Sequence, residues 1–208
     1  MIVLGLTGGI GMGKSTAALA FRRSGLRVFD ADAEVHRLQA PHGRAVPAIA
    51  AAFPGTVHKG VIDRAALRER VVHDPAALRR LERIVHPLVR QAEHEFVSRA
   101  RRAGAWAVVL DIPLLFETGG DRRVDFVVVV SAPDTVQVAR LRQRRRMTPA
   151  QIAAIIAQQM PDAEKRRRAD FIINTGLSRH HAQRALRRLL RRLRTLPPTR
   201  RRRQFRRR

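Results

Sequence analysis

The chain has 208 residues, of which 45% are hydrophobic, 28% are charged and none is cysteine, and its formal net charge is +25. This length accommodates one domain with a substantial core, and the lack of cysteine excludes disulfides, cysteine-ligated zinc and a thiol nucleophile. Because glycines interrupt the first apolar stretch and no later segment is long enough to span a membrane, we expect a soluble, cytoplasmic protein without a membrane partner.

Much of the positive charge lies near the C-terminal end. Thirteen arginines and no acidic residue follow position 183, so that 25 minus 13 leaves a net +12 on residues 1–183. The segment "TLPPTRRRRQFRRR" has too little apolar content to fold, which predicts a disordered tail at 197–208. We expect such a tail either to bind nucleic acid non-specifically at low salt or to be merely solvated.

Five short apolar runs predict buried parallel strands, because Val and Ile follow one another in them without alternation. In chain order these runs are 2–6, 27–30, 106–113, 125–132 and 170–174. Helical patterns separate them, and this order predicts an α/β fold with helices on both faces of the sheet. Ligands bind at the carboxyl ends of the strands in such folds, so the functional residues are expected there.

Two intervals interrupt the alternation of strands and helices. At 34–104 the apolar residues recur every three or four positions, which predicts an inserted helical subdomain. At 140–168 a basic turn precedes Thr148, Pro149 and Gln151, which form a capping-box pattern that starts a helix, and we interpret this interval as a lid. The core of the single predicted domain then comprises 1–33, 105–139 and 169–196.

The stretch "GLTGGIGMGKST" at 5–16 has the pattern G-x-x-x-x-G-K-[ST] at Gly8, Gly13, Lys14 and Ser15, between a predicted strand and a predicted helix. Glycines let consecutive backbone N–H groups approach a phosphate, and the helix that follows directs its positive end at the same anion. The pattern predicts that Lys14 contacts the β and γ phosphates of ATP and that the Ser15 hydroxyl binds Mg²⁺.

A phosphoryl transferase also needs a group that positions or deprotonates the acceptor. Asp30 and Asp32 follow the second strand, and either of them faces the γ-phosphate or caps the next helix. Asp111 ends another strand, where it either helps to hold Mg²⁺ through water or caps the next element. The arginines at 140, 142, 144, 145 and 146 either close over the phosphates or form a solvated face.

Other chemistries lack their motifs. The sequence contains no HExxH and no G-x-S-x-G, and its eight histidines are scattered, which argues against a zinc hydrolase and a serine triad. Aromatic residues make up 4% and tyrosine is absent, which disfavours a protein that stacks single-stranded bases. A P-loop ATPase acting on RNA or DNA, or a kinase for another small acceptor, remains the alternative.

Together these segments make the chain similar to the dephospho-CoA kinase family. The likeness covers about residues 2–176 and includes, besides the glycine stretch, the segments "DAD" at 30–32, "IDRAALRERV" at 62–71, "HPLVR" at 86–90, "DIPLLFE" at 111–117 and "QMPDAEKRRRADFIINTG" at 159–176. Many kinases share the glycine stretch, whereas the histidine-proline and PLLFE segments are more particular to this family.

The resemblance implies a P-loop kinase fold, which is a three-layer sandwich with a five-stranded parallel sheet, an inserted helical domain that receives dephospho-CoA, and a helical lid. It implies transfer of the γ-phosphoryl group of ATP to the ribose 3′-hydroxyl of dephospho-CoA, giving CoA and ADP. A protein of this kind works as a monomer or a small homo-oligomer.

The resemblance also implies roles for individual residues. Asp32 resembles the general base, and Arg140 resembles a lid arginine that acts with Lys14 on the phosphates. The nucleotide loop comprises Gly8, Gly9, Gly11, Met12, Gly13, Lys14, Ser15 and Thr16, and the acceptor motifs contribute His86, Arg90, Leu114, Phe116 and Glu117. Two departures are the arginine-rich stretch 144–147 in the lid and Met12, which stands where serine is usual.

Overall fold

The computed structural model describes residues 1–145, 148–157 and 159–195. The predicted tail at 197–208 and part of the predicted lid, residues 146, 147 and 158, lie outside the described residues. The chain divides into two compact units, of which the first comprises Met1–Phe29 and the chain from Ala100 onward, and the second comprises Asp30–Arg99.

The strands are, in chain order, β1 Ile2–Thr7, β2 Arg27–Asp30, β3 Val57–His58, β4 Val61–Ile62, β5 Ala107–Asp111, β6 Phe126–Ser131 and β7 Phe171–Asn174. The helices are α1 Lys14–Arg23, α2 Ala31–Leu38, α3 Val46–Ala52, α4 Arg64–Val72, α5 Pro75–Arg102, α6 Asp134–Arg145, α7 Pro149–Ala157, α8 Asp162–Arg168 and α9 Arg179–Thr195. A short 3-10 helix covers Gly120–Arg123.

All five predicted strands are confirmed, and they form one parallel sheet in the order β2-β5-β1-β6-β7. Strand β1 is central, pairs with β5 on one side and with β6 on the other, and is buried along its whole length. The strand order reverses direction at β1. In open parallel sheets this reversal leaves a crevice at the carboxyl ends, and the glycine stretch leaves β1 there.

The main core lies between the sheet and helices α1 and α9. Leu4, Leu6 and Val128 of the sheet, Phe21 of α1 and Leu193 of α9 are all fully buried in it. Each such aliphatic or aromatic side chain contributes about 1.5–3 kcal/mol by leaving water. The amphipathic pattern of α9 is therefore satisfied by packing, and the six arginines between Arg184 and Arg194 lie on its exposed face.

Strands β6 and β7 start in the same way, with an aspartate immediately before the strand and a phenylalanine as its first residue. The Asp125 carboxylate accepts a hydrogen bond from the Val3 amide at 2.7 Å, and the Asp170 carboxylate accepts one from the Val127 amide at the same distance. The two phenylalanines that follow, Phe126 and Phe171, pack edge to face with their centroids 5.7 Å apart. Each aspartate thus satisfies a backbone N–H at the start of a neighbouring strand, where the ladder offers no partner.

The second unit is mainly helical, with its own core around Leu38, Ile49 and Val85. It also contains a feature that the helical pattern did not predict, the antiparallel β3–β4 hairpin. Lys59 and Gly60 both have positive φ in its two-residue turn, as type I′ turns require. Strands of two residues are too short to give the alternation by which a strand is identified in a sequence.

The interval interpreted as a lid contains the end of α6, then α7 and α8. The predicted capping box at the start of α7 is confirmed, because the Thr148 amide donates to Gln151 Oε1 at 3.0 Å and the Gln151 amide donates to Thr148 Oγ1 at 3.3 Å. Helix α8 packs against β6 of the sheet, so this part of the interval belongs to the first unit.

Candidate active site

The glycine loop connects β1 to α1 and has the backbone of an anion-binding loop. Gly11 has φ = 76° and Gly13 has φ = 91°, both in the left-handed region. A side chain at Gly8 would place its Cβ 2.5 Å from the Val130 carbonyl oxygen, so the loop fits against β6 only with glycine there. Only glycine adopts these positive φ values without strain and fits the space at position 8, which explains why this segment is rich in glycine.

Helix α1 begins at Lys14 without a side-chain cap. Its N-cap, Gly13, forms no side-chain hydrogen bond, and its first turn, which the structure describes in full, contains no acidic residue. The orphan N–H groups and positive dipole end are therefore not neutralised from within the helix. Ser15 and Thr16 are exposed in this first turn, which makes both hydroxyls accessible.

Lys14 and Asp111 form an ion pair at the carboxyl edge of the sheet. The Lys14 Nζ atom lies 2.6 Å from Asp111 Oδ1, and the two side chains are 17% and 4% exposed. Asp111 is the last residue of β5, the neighbour of β1. The structure thus brings together two residues that the sequence analysis assigned separately to phosphate and to metal.

Met12 is the loop residue whose side chain enters the interior. It is 1% exposed, and its Sδ atom accepts a hydrogen bond from the Ala132 amide at 3.1 Å. Its carbonyl oxygen accepts a hydrogen bond from Thr175 Oγ1 at 2.6 Å. Any contact of this residue with an anion therefore comes from its backbone, while the thioether fastens the loop to the end of β6.

Arg140 of α6 reaches the same loop. Its Nη1 atom donates to the Gly11 carbonyl at 3.3 Å and to Thr175 Oγ1 at 3.1 Å, while Nη2 donates to the Thr175 carbonyl at 2.7 Å. Thr175 follows β7 and is nearly buried. The sequence analysis selected Arg140 but gave no role to Thr175, whose separation of 163 residues from Met12 leaves no local signal.

The loop after β5 holds α8 in place. The Glu117 carboxylate lies 2.9 Å from Lys165 Nζ and accepts a hydrogen bond from the Met160 amide at 3.1 Å. Burial alone raises the pKa of Glu117, but the Lys165 contact, backbone N–H groups and the Lys165 charge outweigh it and hold that pKa below its usual range. The carboxylate is therefore the form that this site stabilises.

Phe116 and Leu114 flank this carboxylate differently. Phe116 is buried, and the guanidinium of Arg168 lies 4.4 Å from its ring centroid, in a cation–π contact. Leu114 is 42% exposed. Of the three residues that the sequence analysis placed near an acceptor in this loop, Phe116 and Glu117 contact side chains of α8, while Leu114 is an exposed apolar residue.

In the second unit, Asp30 and Asp32 have different structural roles. Asp30 is the N-cap of α2, and its carboxylate accepts a hydrogen bond from the Ala33 amide at 3.0 Å. Asp32 lies in the first turn of α2 and is exposed. The sequence analysis left open which aspartate caps the helix. The structure shows that Asp30 is the cap, so that the exposed Asp32 is accessible to a substrate.

His86 and Arg90 lie one helical turn apart on α5, and both are exposed. Together with Arg79, Glu82, Arg83 and Pro87 they line an open pocket of about 580 Å³. Three arginines and one glutamate give this pocket a net positive charge, which suits a phosphate-bearing ligand. The pocket lies within the second unit.

A metal site formed by protein ligands alone is not found in the part of the chain that the structure describes, where no three His, Asp or Glu side chains are grouped for that purpose. The Ser15 hydroxyl and the Asp111 carboxylate are nonetheless hard oxygen donors near the loop. They suit Mg²⁺, which takes few protein ligands and completes its coordination with phosphates and water. Across residues 1–145, 148–157 and 159–195, no helix is long and apolar enough to cross a membrane.

The sheet order, the glycine loop at the central strand and the Lys14–Asp111 pair define a P-loop kinase. Solved structures agree with this class. A Thermus thermophilus protein superimposes with a TM-score of 0.81 at 38% identity, covering 92% of this chain and 97% of that one. An Acinetobacter baumannii shikimate kinase, at 18% identity and a TM-score of 0.51, shares the fold alone.

Sequence comparison then gives the particular family. The family model for dephospho-CoA kinase matches residues 2–179, and the chain belongs to this family, whose members catalyse the final step of coenzyme A synthesis. Dephospho-CoA kinases of Mesorhizobium japonicum and Rhodopseudomonas palustris are 60% and 57% identical over 176 residues, which cover 85% of this chain and 88% and 87% of theirs. The Campylobacter jejuni dephospho-CoA kinase structure is 25% identical, with a TM-score of 0.69 and coverage of 92% and 96%.

Proposed function

We propose that this chain transfers the γ-phosphoryl group of ATP to the ribose 3′-hydroxyl of dephospho-CoA, and that Lys14 and Asp111 are the centre of its nucleotide site. The observation that carries the proposal is their 2.6 Å ion pair beside an anion-binding loop. Lys14 exchanges Asp111 for the β and γ phosphates when nucleotide binds. Asp111 is then available, with the Ser15 hydroxyl, to a hydrated Mg²⁺, which supplies charge neutralisation when bound.

The backbone of the loop binds phosphate, and Arg140 completes the positive surroundings. The residues Gly8, Gly9, Gly11, Met12, Gly13, Lys14, Ser15 and Thr16 form this cradle. Arg140 is already placed against the loop by its bond to the Gly11 carbonyl. A guanidinium held there stabilises the charge that spreads over the transferred phosphoryl group, with little reorganisation during the reaction.

Asp32 accepts the proton of the acceptor hydroxyl. Its exposure, and the assignment of the helix cap to Asp30, support this role. The ribose 3′-oxygen attacks the γ-phosphorus, the bond from that phosphorus to the bridging oxygen breaks, and ADP leaves while Asp32 holds the proton. A positioned carboxylate of this kind contributes about 10²–10⁴-fold to the rate.

The acceptor is recognised by His86 and Arg90 in the second unit and by Leu114 in the first. The positive pocket of about 580 Å³ supports the first two, because dephospho-CoA contains a pyrophosphate. Phe116 and Glu117 act on the acceptor through the loop that they stabilise. The chain acts in the cytoplasm as a monomer or small homo-oligomer, and its arginine-rich tail adds at most non-specific contact with nucleic acid.

A coupled ADP-release assay with Mg-ATP tests this function. Release that depends on dephospho-CoA, with a product heavier by one phosphate in mass spectrometry, is the expected result. ATP turnover that is indifferent to dephospho-CoA would contradict the proposal, and a nucleoside monophosphate used as acceptor under the same conditions tests the nearest alternative. Light scattering on the same preparation reports the assembly state.

A further inference from the structure

The backbone of Ile10, in the middle of the glycine loop, is held by two glutamine side chains. Its N–H donates to Gln159 Oε1 at 3.0 Å, and its carbonyl oxygen accepts a hydrogen bond from Gln137 Nε2 at 2.7 Å. Gln137 belongs to α6 and is 4% exposed, while Gln159 precedes α8 and is half-buried. Both backbone groups of one loop residue are therefore satisfied by side chains that lie more than 120 residues away in sequence.

The segment that carries Gln159 is itself firmly attached to the first unit. The next residue, Met160, donates its amide to Glu117 at 3.1 Å, and Lys165 pairs with the same carboxylate at 2.9 Å. Asp162, at the start of α8, accepts a hydrogen bond from Ser131 Oγ at 2.7 Å. Gln159 thus contacts the nucleotide loop from a segment that is fixed to the loop after β5 and to the last residue of β6.

We propose that Gln159 is a positioning residue for the nucleotide loop. Because the Ile10 N–H donates its hydrogen bond to Gln159, this N–H is not available to donate to a phosphate. The loop then presents the amides that follow Gly11 together with Lys14. Since Gln159 lies between α7 and α8, it also joins the nucleotide loop to the interval interpreted as a lid. This inference rests on the phosphate-binding role proposed for the loop.

Two substitutions of Gln159 separate the effect of its hydrogen bond from the effect of charge at the same position. Gln159→Met keeps the length of the side chain but removes the acceptor. Gln159→Glu keeps an acceptor for the Ile10 N–H, but it adds a negative charge beside a loop that binds anions. The first variant therefore tests the hydrogen bond, while the second keeps the bond and alters only the electrostatics. Gln143→Met, at an exposed position in α6, is the matched control for the loss of an amide.

The experiment measures amide hydrogen exchange of Ile10 by NMR without nucleotide, and then the dissociation constant for Mg-ADP by calorimetry. For Gln159→Met we expect Ile10 exchange to rise about five-fold, as loss of one ordinary hydrogen bond predicts, with a selective loss of nucleotide affinity of similar size. Gln159→Glu should keep Ile10 protected yet bind Mg-ADP more weakly. Gln143→Met should match the wild type in both measurements.

Three results would overturn the proposal. Ile10 exchange that does not change in Gln159→Met, or that rises equally for amides throughout the core, would show no specific contact or a merely structural one. A selective rise in exchange with unchanged nucleotide affinity would show that the contact does not position the loop. A wild-type chain that binds no Mg-ADP would refute the proposed function and the positioning role with it, whereas the other results leave that function intact.

Discussion

The ion pair between Glu117 and Lys165 is unequally exposed, and this inequality predicts unequal effects of its two mutations. The Lys165 side chain is 0% exposed and that of Glu117 is 23% exposed. Within the described residues, no hydrogen bond of good geometry reaches Lys165 Nζ, so its charge depends on the Glu117 carboxylate. Glu117→Gln leaves a buried ammonium without an opposite charge, and breaking such a pair costs about 3–5 kcal/mol.

Lys165→Met should cost less. This substitution leaves the Glu117 carboxylate, which still reaches solvent and still accepts a hydrogen bond from the Met160 amide at 3.1 Å. We therefore expect a loss of only about 1–2 kcal/mol in the free energy of unfolding, within the range for one hydrogen-bonded group left partly satisfied. At about 2–4 °C per kcal/mol for a chain of this size, Glu117→Gln should lower Tm by at least about 6 °C.

Urea unfolding of both single variants and of the double variant measures these values in one cycle. The double variant should be about as stable as Lys165→Met alone, because removal of the ammonium also removes the penalty of leaving it unpaired. Additive losses would refute the reasoning, since they would mean that the two groups do not interact. Equal losses for the two single variants would refute the argument from exposure.

The remaining predictions concern catalysis, pH and the tail. Lys14→Met should lower kcat/KM for ATP at least about 100-fold in the coupled ADP assay, while circular dichroism shows a folded chain. Asp32→Asn should lower kcat by about 10²–10⁴-fold with Mg-ADP affinity retained, and near-normal turnover would contradict its role as base. Because the pKa of Glu117 is lowered, the stabilisation by its carboxylate is complete above the ordinary value of 4.5 and is lost as pH falls through the lower folded value. Urea unfolding between pH 7 and pH 3 should therefore show a larger loss of stability in the wild type than in Glu117→Gln, since other carboxylates such as Asp74 titrate equally in both. Truncation after Leu196 should leave kcat unchanged and weaken retention on a nucleic-acid column at low salt, and a large loss of kcat would contradict the assignment of the tail as dispensable.

The sheet and the loop could be predicted because their signals are local. Buried parallel strands require consecutive apolar residues, and all five runs of that kind are strands in the structure. The glycine pattern predicted a turn between β1 and α1 because left-handed backbone at Gly11 and Gly13 is restricted by residue type. The capping box at Thr148 is likewise a contact between residues three apart, and it forms as expected.

The supports of the loop could not be predicted because they join distant residues. No pattern around Thr175 or Gln159 indicates that one contacts Met12 and the other contacts Ile10, across 163 and 149 residues. The buried role of Lys165 was hidden for a different reason. It stands in the run "EKRRRAD", where composition predicts a solvated face, and only the packing of α8 on β6 buries this one residue of the run.

The nucleotide loop therefore owes its shape to the second half of the chain as much as to its own glycines. A glycine-rich segment loses more conformational entropy on ordering than other segments do, about 1–2 kcal/mol or more per residue. Here Ala132 and Thr175 hold Met12, and Arg140 holds the Gly11 carbonyl, so this entropy is lost when the chain folds and not when an anion binds. It follows that changes in the β6–β7 half that never touch nucleotide should weaken nucleotide affinity, because they return disorder to the loop.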